Sequence, residues 1–214
     1  VEEGYPKYIS TSLHLEPRFQ NLEKPWSGKI DAAFADRRQI YLFGGNNIHT
    51  VSEKLYQFYS YNELDIKQVK CAFLENSSLY IAEGEGENNS WNRFSNIESR
   101  EVERNSVEPP ILRKIPEKFK TELDAVLHGV DNNTYLFKGA DCFNVLLNKE
   151  YPLNEEWGRV DNNVYINKSI DAAFVGLDGK TYLFSDHQYI TYSGNNYIKQ
   201  EIETLPQEIS ENWG

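Results

Sequence analysis

Three aspartates and a lysine recur at one place in a repeated pattern. They are the first residues in this chain whose spacing suggests chemistry. Asp31, Asp124 and Asp171 each follow an apolar residue and precede two small ones, and Lys70 takes that place in a fourth copy. Two positions further on stand Ala33, Ala72, Val126 and Ala173. Oxygen donors, whether carboxylates or backbone carbonyls, are the ligand type of a hard cation such as Ca²⁺ or Na⁺. The other reactive side chains are scattered: His14, His49, His128 and His187, and the two cysteines Cys71 and Cys142. Imidazole can ligate haem iron, which makes His49 and His187 the candidates for a small ligand. Trp91, in a polar stretch, is the candidate for an exposed docking aromatic. Catalysis has little to stand on. The chain has no zinc-type His-Glu spacing, no Gly-x-Ser-x-Gly elbow and no phosphate-cradling Gly-Lys-Ser/Thr run, and a thiol in apolar surroundings is inert. The expectation is a protein that is not an enzyme.

The elements that would position these residues are repeats. An apolar-Asp-Ala-Ala-Phe run, a polar turn and a Tyr-Leu-Phe run recur four times. Ile30–Phe34 leads to Tyr41–Phe43, Leu123–Leu127 to Tyr135–Phe137, and Ile170–Phe174 to Tyr182–Phe184. The second copy, Val69–Phe73 to Tyr80–Ala82, has drifted furthest. Two short runs of β-branched and aromatic residues around a turn read as a hairpin. A third strand follows, as in Gln188–Tyr192 and Cys142–Leu146, and stretches with proline and tryptophan, such as Tyr151 to Trp157 and Leu205 to Trp213, close each unit. One such sheet cannot bury both its faces, so similar sheets must stack, and radial stacking gives a propeller.

The expected fold class is therefore all-β, a four-bladed β-propeller over residues 30–214, with repeats starting near 30, 69, 123 and 170. Residues 1–29 read as an overhang resembling the closing part of a preceding repeat. The stretch from Glu83 to Lys120 reads as a protruding loop. The innermost strand of each blade is a sheet edge whose backbone groups meet the central channel. That brings Asp31, Lys70, Asp124 and Asp171 into one ring of carbonyls, with Ala33, Ala72, Val126 and Ala173 in a second. Either these rings hold a cation, or the aspartates stabilise turns and inter-blade contacts around a channel of water.

The fourfold pattern, with its proline- and tryptophan-bearing closures, resembles the hemopexin-like repeats found in hemopexin, matrix metalloproteinase tails, vitronectin, plant albumin-2 and the bacterial photopexins. The resemblance covers about residues 30 to 214. It implies a hemopexin-like propeller and a Ca²⁺ or Na⁺ ion on the axis. Many animal members close the ring with a disulfide. Here Cys71 aligns with Ala32, Ala125 and Ala172, and Cys142 with Ile48 and Tyr189, so two buried free thiols are expected instead. Hemopexin clamps haem between two propellers, whereas this pattern builds one.

Composition narrows the partners. A chain of 214 residues with 39% hydrophobic content can bury a substantial core. A net charge of −11 opposes nucleic-acid binding through phosphates and favours cationic partners. No apolar run is long enough to span a membrane. The reading is a non-enzymatic, secreted or extracellular binding module for a protein or glycan partner. The alternative is a small-ligand carrier for haem, as in iron scavenging, or for a polyamine. A structural or storage spacer is a third reading.

Overall fold

The computed structural model describes residues 30–36, 39–44, 47–51, 56–60, 66, 68–84, 90–96, 101–103, 108–153, 157, 169–186, 188–192 and 207–208. The overhang 1–29, His14, His187 and Trp213 lie outside the described residues.

The chain folds as four antiparallel sheets of four strands, each a simple meander. Blade 1 comprises β1 (Ala32–Ala35), β2 (Ile40–Gly44), β3 (Asn47–Val51) and β4 (Tyr56–Ser60). Blade 2 comprises β5 (Val69–Glu75), β6 (Ser78–Glu83), β7 (Ser90–Asn96) and β8 (Glu101–Glu103). Blade 3 comprises β9 (Ala125–His128), β10 (Thr134–Lys138), β11 (Asp141–Asn144) and β12 (Lys149–Pro152). Blade 4 comprises β13 (Ala172–Val175), β14 (Thr181–Ser185), β15 (Gln188–Tyr192) and β16 (Gln207–Glu208). The first strands touch in cyclic order, β1 with β5, β5 with β9, β9 with β13, and β13 with β1. This is a closed four-bladed propeller, as the repeats predict.

Turn chemistry sets the hairpins. In the β9–β10 turn, Asp131 accepts the Asn133 amide (3.1 Å) through Oδ1 and the Tyr135 hydroxyl (2.6 Å) through Oδ2. Asp178 does the same in the β13–β14 turn, accepting the Lys180 amide (3.1 Å) and the Tyr182 hydroxyl (2.9 Å). Asp36 accepts the Gln39 amide (2.8 Å) and lies 3.4 Å from the Tyr41 hydroxyl. The tyrosine of Tyr-Leu-Phe is thus amphipathic, with its ring in the core and its hydroxyl on the turn aspartate. Gly179 (φ +77°) and Asn132 (φ +61°) hold equivalent left-handed positions. A side chain at Gly179 would meet open space, so the backbone angle alone selects for glycine there. Blade 2 lacks the aspartate and instead turns on Asn76 and Ser77, both at positive φ, as a tight two-residue hairpin requires.

Strand alternation sends successive side chains to opposite neighbours. Ala32 packs toward blade 2 and Ala33 toward blade 4. Likewise Ala172 packs toward blade 1 and Ala173 toward blade 3. Four clusters result, one at each blade interface. For example, Phe34, Tyr41, Phe43 and Ile48 meet Ala72, Leu79, Ile81 and Phe94 between blades 1 and 2. Trp157 is fully buried between blades 3 and 4, ringed by Tyr135, Phe137 and Tyr192. Its indole N–H donates to the Cys142 sulfur (3.4 Å), and its carbonyl accepts the Tyr192 hydroxyl (2.8 Å). Cys71 and Cys142 are both free and buried, as expected.

Two expectations need correction. The stretch from Glu83 to Lys120 is not a protruding loop: it carries β7 and β8, then 3₁₀ turns at Pro110–Lys114 and Glu117–Phe119. Leu112 and Phe119 from these turns, with Ile115 between them, are buried between blades 2 and 3. Apolar residues spaced among prolines and charges carry no β period, which hid this packing from the sequence. The third strand of blade 3 ends at Asn144 rather than at Leu146, because the Asn144 side chain turns back to accept the Leu147 amide (2.9 Å).

The first strands leave no room for larger side chains where they meet. Ala173→Leu should destabilise the fold by about 1–3 kcal/mol through overpacking, read as a lower chemical-denaturation midpoint with an unchanged slope.

Candidate functional site at the propeller axis

Each first strand carries one extra residue at its start. In blade 2 the register steps from Val69 opposite Glu83 to Cys71 opposite Ala82, so Lys70 is the additional residue of a β-bulge. In blade 1 the Asp31 amide donates to the Phe43 carbonyl (2.8 Å), although the register partner of Phe43 is Ala32. The same two-against-one arrangement joins Asp124 to Phe137 (3.0 Å) and Asp171 to Phe184 (2.9 Å), whose register partners are Ala125 and Ala172. Asp31, Lys70, Asp124 and Asp171 therefore occupy one structural position in four strands packed round the axis. Bulges re-aim the backbone locally. Ala33, Ala72, Val126 and Ala173 follow within the regular ladder, opposite Leu42, Ile81, Leu136 and Leu183.

The carboxylates themselves serve the turns. Asp124 Oδ2 accepts the Gly139 amide (2.6 Å) and Asp171 Oδ2 accepts the Asp186 amide (2.6 Å). Both donors lie at positive φ in the connection between second and third strands. Lys70 cannot accept such a bond. In its blade that connection is the longer stretch from Gly84 to Asn89, and the Gly84 amide donates instead to the Gln68 carbonyl (3.3 Å). Among the described residues, no three His, Cys, Asp or Glu side chains gather closely enough to hold a metal. A cation on the axis would therefore rely on backbone oxygens.

The proposed ligand residues stand elsewhere. Trp91 is not an exposed loop aromatic: it lies on β7, 7% exposed, with its ring edge-on to Phe73 at 5.6 Å. It faces Ala82, just as Ile48 faces Phe43, Cys142 faces Phe137 and Tyr189 faces Phe184. Blade 2 has a small residue where the others have phenylalanine, and the indole fills the difference. Ala82 in the drifted repeat was the available clue.

His49 is 3% exposed on β3, at the position of Phe143 and Ile190. Alternation with Ile48 directs it toward blade 4. Burial pushes its imidazole down to about 4, so the ring is neutral. A haem iron could reach it only by opening that interface. His128 spans two blades, one ring nitrogen 2.6 Å from the Leu74 carbonyl and the other 2.9 Å from the Thr134 hydroxyl. Its pKa is also lowered by burial. The Cys71 thiol is raised by burial, with a further contribution from Asp124, and so stays protonated.

With this geometry the comparisons with known proteins agree. The 2S albumin seed protein from Dolichos is 16% identical over 86% of this chain and 96% of its own, with a TM-score of 0.66. The hemopexin fold protein CP4 from cow pea is 15% identical over 87% and 96%, with a TM-score of 0.63. A plant albumin from Cicer arietinum, described as showing hemagglutination, is 18% identical over 87% and 96%, with a TM-score of 0.64. The chain has the hemopexin-like fold. No family model and no curated relative matches it. Among the described residues, no helix is long and apolar enough to cross a membrane.

His49 predicts the acid limb of stability. Its folded pKa lies below the unfolded value of 6.5, so the unfolded chain binds the proton more readily. Stability is complete above pH ~6.5 and falls as pH drops toward 4, by up to about 3 kcal/mol for this group. His49→Leu should flatten that limb in denaturation midpoints measured from pH 7 to pH 4, while His128 continues to contribute in the same direction.

Proposed function

We propose that this chain is a non-enzymatic binding module, a hemopexin-like propeller that attaches to a protein or glycan partner and carries a cation on its axis. The observation that carries the reading is the four-fold bulge at one end of the closed ring of first strands. It sets four backbone segments at one equivalent position around the axis, a setting that suits oxygen-only ligation of Ca²⁺ or Na⁺. The likeness to seed albumins supports attachment as the activity, since one of them is described as showing hemagglutination. Agglutination needs a partner on a cell surface, which fits a secreted or extracellular site of action. Haem carriage has less support, because His49 is enclosed between blades.

Lys70 is the odd member of the ring. An ammonium near a bound cation opposes it by like-charge repulsion. Calcium should raise the thermal midpoint, because a ligand bound only by the folded chain adds about 2.7 kcal/mol at a hundredfold excess over its Kd. Lys70→Asp should shift the calcium titration to lower concentration. A midpoint indifferent to both Ca²⁺ and Na⁺ would remove the axial cation from the proposal.

Attachment is tested separately, with red cells and a panel of immobilised glycans. Agglutination that a soluble glycan inhibits is the expected result. If neither red cells nor any glycan on the panel is bound, the glycan half of the reading fails.

A further inference from the structure

Among the described residues three large apolar side chains stand exposed: Leu146 at 72%, Leu147 at 60% and Leu177 at 42%. Topology places all three at one end of the propeller. Strands alternate in direction within each meander, so the first-to-second and third-to-fourth turns share an end. Equivalent residues face the same neighbour in every blade, so the blades share one orientation. Leu146 and Leu147 form the β11–β12 turn, and Leu177 lies in the β13–β14 turn of the adjacent blade.

The leucine pair is braced. Asn133 Oδ1, in the neighbouring β9–β10 turn, accepts the Leu146 amide (3.2 Å), and Asn144 Oδ1 accepts the Leu147 amide (2.9 Å). The Val145 amide donates to the Thr134 carbonyl (2.9 Å), and Asn148 completes the turn at φ +50°. The two side chains are thus held outward by a tight, hydrogen-bonded tip.

A convex tip of this kind must be received by something deformable or by a pocket. Charge and area decide between the candidates. Lys149 follows the tip, its ammonium 4.4 Å above the Tyr151 ring, and Lys180 shares the turn of Leu177. Among the described carboxylates at this end, Asp36, Asp131 and Asp178 are engaged with turn amides and tyrosine hydroxyls, and Glu75 accepts the Ile111 amide (3.2 Å). Glu83, at the end of β6, and the turn residue Asp186 belong to the opposite end. A second copy is disfavoured, since each carries a net charge of −11, and three side chains fall well short of the roughly 1,000 Å² that a stable protein interface needs.

We propose that this end of the propeller docks on the surface of a zwitterionic phospholipid bilayer. Leu146, Leu147 and Leu177 enter the boundary between headgroups and acyl chains, and Lys149 and Lys180 lie at the phosphate level. Anionic lipid is disfavoured by the charge of the whole chain. The inference rests on the fold and this tip, and is independent of the axial cation and of any glycan.

Flotation with phosphatidylcholine vesicles tests it. The wild-type chain should float with the vesicles, and Leu146→Asp/Leu147→Asp should lower its partition coefficient by about tenfold or more. The thermal midpoint of the variant should be unchanged, because both positions are exposed. Replacing part of the phosphatidylcholine with phosphatidylserine should weaken flotation at low salt. A wild-type chain that stays with the soluble fraction overturns the proposal, as does a double variant that floats equally well. Self-association in sedimentation velocity that the double variant abolishes, without vesicle binding, overturns it in favour of a protein contact.

Discussion

A four-stranded sheet that is apolar on both faces cannot bury itself, and this constraint governs the molecule. Each blade takes one neighbour for each face, so no blade is complete until the ring closes. The four interface clusters are the consequence, and together they hold all the buried apolar residues among those described. Close to the axis the same constraint becomes one of volume. Ala32, Ala33, Ala72, Ala125, Ala172 and Ala173 are nearly fully buried because larger side chains would hold the first strands apart.

Away from the axis the interfaces have room to vary, and the repeats diverge there. The position filled by Ile48 in blade 1 is Trp91 in blade 2, Cys142 in blade 3 and Tyr189 in blade 4. Each is compensated by what lies near it: Trp91 by Ala82 across the sheet, and Cys142 by Trp157, whose indole N–H reaches the sulfur. Both cysteines are buried free thiols. Ring closure is supplied by burial between blades 4 and 1, where Ile30, Ile40 and Leu42 meet Phe174, Tyr182 and Phe184.

Polar groups inside such a fold must be satisfied locally, and the aspartates do this twice in blades 3 and 4. One, such as Asp131, serves the first turn and its tyrosine; the other, such as Asp124, serves the second turn. Blade 2 keeps neither, with Asn76–Ser77 at one turn and Lys70 with a longer connection at the other. The bulge at the start of its first strand nevertheless persists. That persistence separates the backbone arrangement at the axis from the side chain that occupies it.

By itself the sequence determined the number of blades, their order and the identity of the innermost strands, because a period-two pattern repeated four times admits few other arrangements. It also determined that both cysteines are core residues, since they stand at positions where other copies are apolar. Only the tertiary structure decided what the variable positions do. Trp91 reads as polar-loop tryptophan until Ala82 is seen opposite it, and His49 reads as an available imidazole until the side of β3 that it occupies is known. The residues from Pro110 to Phe119 carry no strand period, so their burial depended on the space left between blades 2 and 3. Leu146 reads as the end of a strand, and two asparagine side chains, one from a different turn, hold it and Leu147 in a turn instead. Such contacts join residues whose spacing along the chain follows no repeat, and so local pattern cannot carry them.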